Sequence, residues 1–87
     1  MATVEIYTTF FCTFCSRAKN LLRKKGIEFT EISVDGDPEL RRRMTERSGG
    51  RRTVPQVFID GKPVGGSDEL AALERSGELD TLLRGTG

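Results

Sequence analysis

The sequence contains no histidine and no tryptophan, and only two of its 87 residues are cysteine. A structural zinc ion takes about four Cys or His ligands, so these counts argue against a zinc site closed within the chain. The sequence also lacks an apolar run near the roughly 20 residues needed to cross a bilayer, and its first residues lack a charged segment followed by an apolar one. We therefore expect neither a membrane span nor a secretory signal.

An excess of charge of one sign is also missing, because 14 basic residues are balanced by 13 acidic ones. Proteins that bind nucleic acids or membrane surfaces in general carry a marked positive excess, and base-stacking aromatics do not accompany the arginines here. We expect neither nucleic acid nor membrane as a partner. Repeats and low-complexity segments are absent as well, so the length predicts a single domain over residues 1–87. A lone cysteine pair without a signal segment is typical of a cytoplasmic protein with catalytic thiols.

The two cysteines are spaced C-x-x-C, between a strand-like stretch at residues 3–8 and a helix-like stretch that ends at Gly26. Cys12 at the start of a helix would face unpaired N–H groups and the positive end of the helix dipole, which favour the reactive thiolate. Cys15 follows one helical turn later and can close a disulfide with it. This pattern is typical of a thioredoxin-like redox site. A structural disulfide would close too short a loop to stabilise much, and a pair of inert buried thiols is the remaining alternative.

The alternation of apolar and polar residues predicts strands at 3–8 and 27–34, with a helix between them. Phe14, Ala18, Leu21 and Leu22 form an apolar stripe at helical spacing, which we expect to dock on a sheet. A strand, a helix and a strand joined by short connections imply two parallel strands.

Turn and capping residues divide the second half of the chain. Asp37 and Pro38 predict a helix start, and that helix ends near Arg47. The pair 60–61 has the sequence Asp-Gly between two short apolar runs, which predicts a β-hairpin. The pair 67–68, Ser-Asp, predicts another helix start; a short helix follows at 78–83 and a loose tail at 85–87.

Three separated motifs occur in this order: Cys12-Thr13-Phe14-Cys15, Thr53-Val54-Pro55 and Gly65-Gly66-Ser67-Asp68. Together they resemble the glutaredoxins over almost the whole chain. The resemblance implies an α/β thioredoxin fold, with a four-stranded mixed β-sheet flanked by α-helices. It also implies a glutathione-dependent thiol-disulfide oxidoreductase that acts, mainly as a monomer, on disulfide-containing or glutathionylated proteins.

The same resemblance implies roles for particular residues. Cys12 would be the nucleophile, and Cys15 would resolve the mixed disulfide. Val54 would pair with the backbone of glutathione beside a cis proline, and Asp68 would receive its ammonium. Charge balance leaves Arg41, Arg51 or Arg52 for the glycyl carboxylate, with Arg41 or Arg52 preferred. The predicted glutathione-binding set is Thr9, Phe14, Arg41, Arg52, Thr53, Val54, Pro55, Gly66, Ser67 and Asp68.

Simpler interpretations exist for two parts of this set. Ser67 and Asp68 are also the residue types that cap a helix and need do nothing more. The arginines at positions 41, 42, 43 and 47 fit a solvated helix face, with one or two available to an anionic ligand.

Three features depart from the usual glutaredoxin pattern. Thr13-Phe14 replaces the familiar Pro-Tyr, Thr9 occupies a position where a lysine is common, and the stretch Gly49-Gly50-Arg51-Arg52 is slightly long. Some glutaredoxins without that proline carry a [2Fe-2S] cluster, held between two subunits by their first cysteines and two glutathiones. Loss of proline frees a backbone N–H and loosens the loop. The alternative prediction is therefore a homodimeric cluster carrier with Cys12 as the ligand, whereas the monomer would bind no metal.

Overall fold

A computed structural model describes residues 3–84, which form one mixed sheet with helices on both faces. The strands are β1 (Val4–Thr8), β2 (Thr30–Ser33), β3 (Gln56–Ile59) and β4 (Lys62–Gly65), and the helices are α1 (Thr13–Lys24), α2 (Pro38–Arg47), α3 (Ser67–Ser76) and α4 (Glu78–Leu83). The sheet order is β2-β1-β3-β4; β1 is parallel to β2 and antiparallel to β3, and β3 is antiparallel to β4. The predicted fold class is confirmed. The tail predicted at 85–87 lies outside the described residues.

The period of two along the central strands separates two apolar clusters. One face of β1 and β3 is covered by α1, α3 and α4, and its buried residues are Val4, Ile6, Ala18, Leu22, Val57, Ile59, Leu70, Leu79 and Leu83. The opposite face is smaller and lies under α2, where the buried residues are Tyr7, Val34, Met44 and Phe58. The core therefore fixes both ends of β1, including the end that leads into the C-x-x-C segment.

The smaller face is completed by Arg47 rather than by another apolar residue. Its guanidinium carbon lies 4.2 Å from the centroid of the Phe58 ring and it donates to the Tyr7 hydroxyl at 2.9 Å. It also pairs with the Glu5 carboxylate at 2.9 Å. The prediction of a purely solvated arginine face is therefore wrong for this residue, because the planar guanidinium stacks on an aromatic ring.

Two sequence predictions about α1 and β2 need correction. The second strand begins at Thr30, not at residue 27, because the Ile27 N–H donates to Leu22 O at 3.0 Å and so closes the end of α1. Phe14 does not dock on the sheet and is 51% exposed, whereas Cys15 is buried at 1%. Ala18 and Leu22 are buried as predicted and Leu21 packs against the same core, so the predicted stripe is wrong only at Phe14.

The predicted helix start at Asp37 and the predicted hairpin at Asp60 and Gly61 are confirmed. The Asp37 carboxylate accepts a hydrogen bond from the Leu40 N–H at 3.0 Å and caps α2. Asp60 and Gly61 both have positive φ angles, 53° and 79°, as a tight hairpin between β3 and β4 requires. Within residues 3–84, no helix has the length and hydrophobicity to cross a bilayer.

Candidate functional site

Cys12 is the N-cap of α1 and stands at the end of the loop that follows β1. Its backbone is extended, and its sulfur accepts a hydrogen bond from the Cys15 N–H at 3.1 Å. The same sulfur lies 3.8 Å from Val54 O and is partly exposed. Cys12 is therefore a free, reachable thiol at the N-terminus of a 12-residue helix, where backbone N–H groups favour negative charge.

Cys15 is a different kind of thiol, buried one turn further along α1. The pKa of Cys15 is raised to about 12, first by burial and then by its hydrogen bond to Cys12 and the charge of Cys12. A backbone hydrogen bond with Thr9 and the positive charge of Lys19 act in the opposite direction. As long as Cys12 is not part of a disulfide, Cys15 is thus a protonated thiol at neutral pH.

A groove of about 260 Å³ runs beside Val54, next to the Cys12 sulfur. The Val54–Pro55 peptide bond, which borders it, is cis. Seven of the ten predicted glutathione-binding residues line the groove: Phe14, Thr53, Val54, Pro55, Gly66, Ser67 and Asp68. Three segments that are distant in the chain therefore meet in one surface channel beside the reachable thiol.

The start of α3 forms the far wall of this groove. Gly66 is the N-cap, and the Glu69 carboxylate accepts a hydrogen bond from its N–H at 3.1 Å. Ser67 and Asp68 are therefore the first two helical residues rather than the cap, which corrects the capping interpretation. A side chain at position 66 would place Cβ 3.1 Å from Pro55 O, so glycine is what allows the two backbones to approach so closely.

Arg51 and Glu69 also line the groove and form an ion pair at 2.6 Å. The hydrogen bond from the Gly66 N–H, followed by that from Arg51, holds the pKa of the Glu69 carboxyl below its usual range. Glu69 was not among the predicted site residues. Its position three residues after the N-cap matches a capping box, and that pattern is the signal that could have identified it.

Comparisons with known proteins agree with this geometry. The glutaredoxin family model matches residues 4–64. The chain belongs to the glutaredoxin family. It is 54% identical to a glutaredoxin from Pseudomonas aeruginosa, over 95% of this chain and 98% of that protein. The solution structure of glutaredoxin from Brucella melitensis is 55% identical, with a TM-score of 0.84 over 95% of this chain and 89% of that one. The crystal structure of a buckwheat glutaredoxin-glutathione complex is 30% identical, with a TM-score of 0.86 over 95% and 77% of the two chains.

Membership in the glutaredoxin family indicates the kind of reaction to which a C-x-x-C pair belongs. Glutaredoxins are thiol-disulfide oxidoreductases with a thioredoxin fold, and the C-x-x-C spacing of this chain fits that family. In this glutaredoxin the first cysteine of that spacing, Cys12, is partly exposed and the second, Cys15, is buried.

The remaining three predicted glutathione-binding residues do not line the groove of this glutaredoxin. Thr9 borders a separate recess on the β2 side of the molecule, together with Lys19 and Glu31. Arg41 is exposed and donates to Arg52 O at 3.1 Å, so these two arginines lie beside each other but outside the groove. Between residues 3 and 84, no group of three or more His, Cys, Asp or Glu side chains is placed to hold a metal ion.

Proposed function

We propose that this chain is a glutathione-dependent oxidoreductase that reduces protein disulfides and glutathione mixed disulfides through Cys12. The observation that supports it most directly is the groove beside the Cys12 sulfur, bounded by Val54 and by the start of α3. The structural likeness to a glutaredoxin solved as a glutathione complex points in the same direction.

The groove offers partners for each end of a glutathione moiety. The backbone of Val54 would pair with the backbone of the tripeptide. The Gly66 N–H is already bound to Glu69, so the γ-glutamyl carboxylate would take the next two N–H groups of α3, those of Ser67 and Asp68. The Asp68 carboxylate would receive the ammonium.

The glycyl carboxylate requires a cation at the opposite end. The prediction of Arg41 or Arg52 stays a proposal; Arg51, the third candidate, lines the groove but pairs with Glu69 near the start of α3. Equal affinity for a glutathionylated substrate after charge removal at Arg41 and Arg52 would eliminate those two.

The proposed reaction begins when the Cys12 thiolate attacks the glutathione sulfur of a mixed disulfide. A Cys12–glutathione disulfide forms, the original S–S bond breaks, and the released thiolate takes a proton from water. A second glutathione thiolate then attacks the glutathione sulfur on Cys12 and leaves as oxidised glutathione, which restores the Cys12 thiolate.

With a protein disulfide, the Cys12 thiolate forms a mixed disulfide with the protein and releases one protein thiol. Cys15 then attacks the Cys12 sulfur of that mixed disulfide and releases the other protein thiol, and two glutathiones later reduce the Cys12–Cys15 bond. A protein disulfide thus takes two electrons from two glutathiones, whereas a mixed disulfide, which already contains one glutathione, consumes one more.

The test is a glutathione-reductase-coupled assay with the cysteine–glutathione mixed disulfide as substrate. Cys12→Ser should reduce the rate to the uncatalysed background, since no other exposed thiol is present in the chain. Cys15→Ser should keep the activity, because glutathione itself can resolve the intermediate. Loss of activity in both variants would contradict this route, and activity in Cys12→Ser would contradict the assignment of the nucleophile.

The [2Fe-2S] alternative would use the same Cys12 sulfur as an iron ligand. Cys15 is buried and carries a raised pKa, so one chain supplies Cys12 as its single available thiolate ligand. A cluster would bring redox-active iron and sulfide, and it would therefore need two chains and two further thiols such as those of glutathione. A protein that stays colourless after anaerobic reconstitution with glutathione, iron and sulfide would eliminate this activity.

The other expectations about partners and location remain part of the proposal. We propose a mainly monomeric, cytoplasmic protein that uses neither nucleic acid nor membrane as a partner. The two free thiols and the balanced charge support it.

A further inference from the structure

Three exposed phenylalanines lie within two residues of Cys12 in the chain and form what we call the aromatic surface: Phe10, Phe11 and Phe14. Their exposed fractions are 84%, 103% and 51%. The rings of Phe10 and Phe11 lie 6.3 Å apart between centroids. Apolar surface of this kind, clustered on a small protein, marks a site of interaction rather than an ordinary solvated loop.

Within the aromatic surface, Phe14 lines the groove, whereas Phe10 borders the recess on the β2 side. The Phe10 N–H donates to Asp35, which follows β2, at 2.5 Å, whereas the Cys12 sulfur contacts Val54, which precedes β3. Because β2 and β3 flank β1 on opposite sides, the Phe10–Phe11 pair extends away from the groove. A glutathione in the groove would therefore leave this pair free for the other half of a mixed disulfide.

The size of the aromatic surface decides between two classes of partner. A phenylalanine side chain buries roughly 150–250 Å² at most, so three partly used rings supply less than the ~800 Å² that each partner buries in a stable interface. A permanent dimer needs more surface than this. Transient redox encounters bury less, and they match the area available.

We propose that the aromatic surface selects protein substrates whose glutathionylated cysteine is flanked by apolar side chains. This inference rests on the proposed function. The glutathione half of the substrate would lie in the groove, and the apolar residues of the protein half would pack on Phe10 and Phe11. The packing lasts until Cys12 has taken the glutathione sulfur and the protein thiolate leaves. The aromatic surface therefore changes how tightly the protein half binds and does not change the rate of the thiol-disulfide exchange.

The experiment compares two short peptides, each with one glutathionylated cysteine, flanked by leucines in one peptide and by serines in the other. The wild type should show about a fivefold higher kcat/KM for the leucine peptide, mainly through KM. The double variant F10S/F11S should turn over both peptides equally, with an unchanged rate on the cysteine–glutathione mixed disulfide. The conservative variant F10L/F11L should keep the preference, because it retains apolar side chains at both positions.

Each other outcome contradicts the inference. Equal rates on the two peptides in the wild type would overturn it, as would an equal loss on all three substrates in F10S/F11S. A concentration-dependent dimer in sedimentation that F10S/F11S abolishes would assign the surface to a second copy of the chain. Failure of the wild type on the cysteine–glutathione mixed disulfide would instead contradict the proposed function, and the surface with it.

Discussion

Cys12 and Cys15 are three residues apart, yet their surroundings give them different reactivity. Two of the causes that raise the pKa of Cys15, the hydrogen bond to Cys12 and the charge of Cys12, depend on a free Cys12. Both are lost once Cys12 is bound in a mixed disulfide, whereas Lys19 and the Thr9 backbone continue to lower this pKa. Burial, the largest cause, continues to raise the pKa of Cys15. In the proposed reaction Cys15 would therefore become more acidic, though still a buried thiol, once Cys12 has reacted.

At the same scale, if Arg51 binds the glycyl carboxylate of glutathione, Glu69 competes with that carboxylate for Arg51. Replacing Glu69 with glutamine keeps an acceptor for the Gly66 N–H but removes the charge that holds Arg51. We expect Glu69→Gln to lower the KM for the cysteine–glutathione mixed disulfide about two- to threefold with kcat unchanged, since an exposed ion pair is worth at most about 1 kcal/mol. Steady-state kinetics at low salt measure this change.

The matched control for Glu69→Gln is Glu46→Gln, which makes the same charge change on α2, where Glu46 pairs with Arg42. The control should leave KM unaltered, because Glu46 does not line the groove. An equal fall in both variants would reflect net charge alone. A rise in KM for Glu69→Gln would show that the carboxylate assists binding, and the competition would be refuted.

Among the elements, α2 depends most on its cap, because few of its residues are apolar and only Met44 is fully buried. The Asp37 carboxylate accepts from the Leu40 N–H and satisfies one of the unpaired donors of the first turn. Asp37→Ala should lower the free energy of unfolding by about 1 kcal/mol in urea titrations. Asp37→Asn serves as the control, since asparagine caps a helix about as well. If both variants lost the same stability, the charge and not the cap would matter.

Element types were predictable where a residue acts on its immediate neighbours. The cap at Asp37 and the hairpin at Asp60 follow from contacts within three residues. The start of β2 was not predictable from apolar alternation, because Ile27 packs on the core while its N–H closes α1. The exposure of Phe14 was missed because Cys15 takes the buried position in the first turn of α1, while Phe14 faces outward.

For the whole molecule, the motifs identified most of the groove but not the contact that spans it. Val54 and Asp68 belong to recognisable local patterns, so their meeting follows from the fold. The Arg51–Glu69 pair joins two segments that only tertiary structure brings together, and no spacing within either segment indicates it. Thr9 was placed by analogy with a lysine position, yet in this fold it borders the recess on the β2 side.

The pH dependence of stability belongs to the molecule as a whole. No histidine is present, so the side chain that ordinarily changes charge between pH 5 and 8 is missing. Hydrogen bonds and cations hold the pKa values of several carboxyls below their usual range; these are Glu31, Glu39, Glu69 and Asp80. Below about pH 4.5 the unfolded chain binds protons that the folded chain does not, so stability should fall with pH there.

At alkaline pH, Cys15 determines whether the free energy of unfolding rises or falls with pH. Its pKa rises from 9.0 to about 12 on folding, so between these values the unfolded chain loses a proton that the folded chain keeps. The free energy of unfolding should therefore be nearly constant between about pH 5 and 8 and decline above pH 9. Cys15→Ser removes this group and should flatten the decline, while the contribution of Lys25, whose pKa is also raised on folding, remains in both proteins. Urea titrations at a series of pH values with reductant present measure both curves. Parallel declines in the two proteins would mean that Cys15 is not buried as a neutral thiol, and the ordered use of the two cysteines would lose its physical basis.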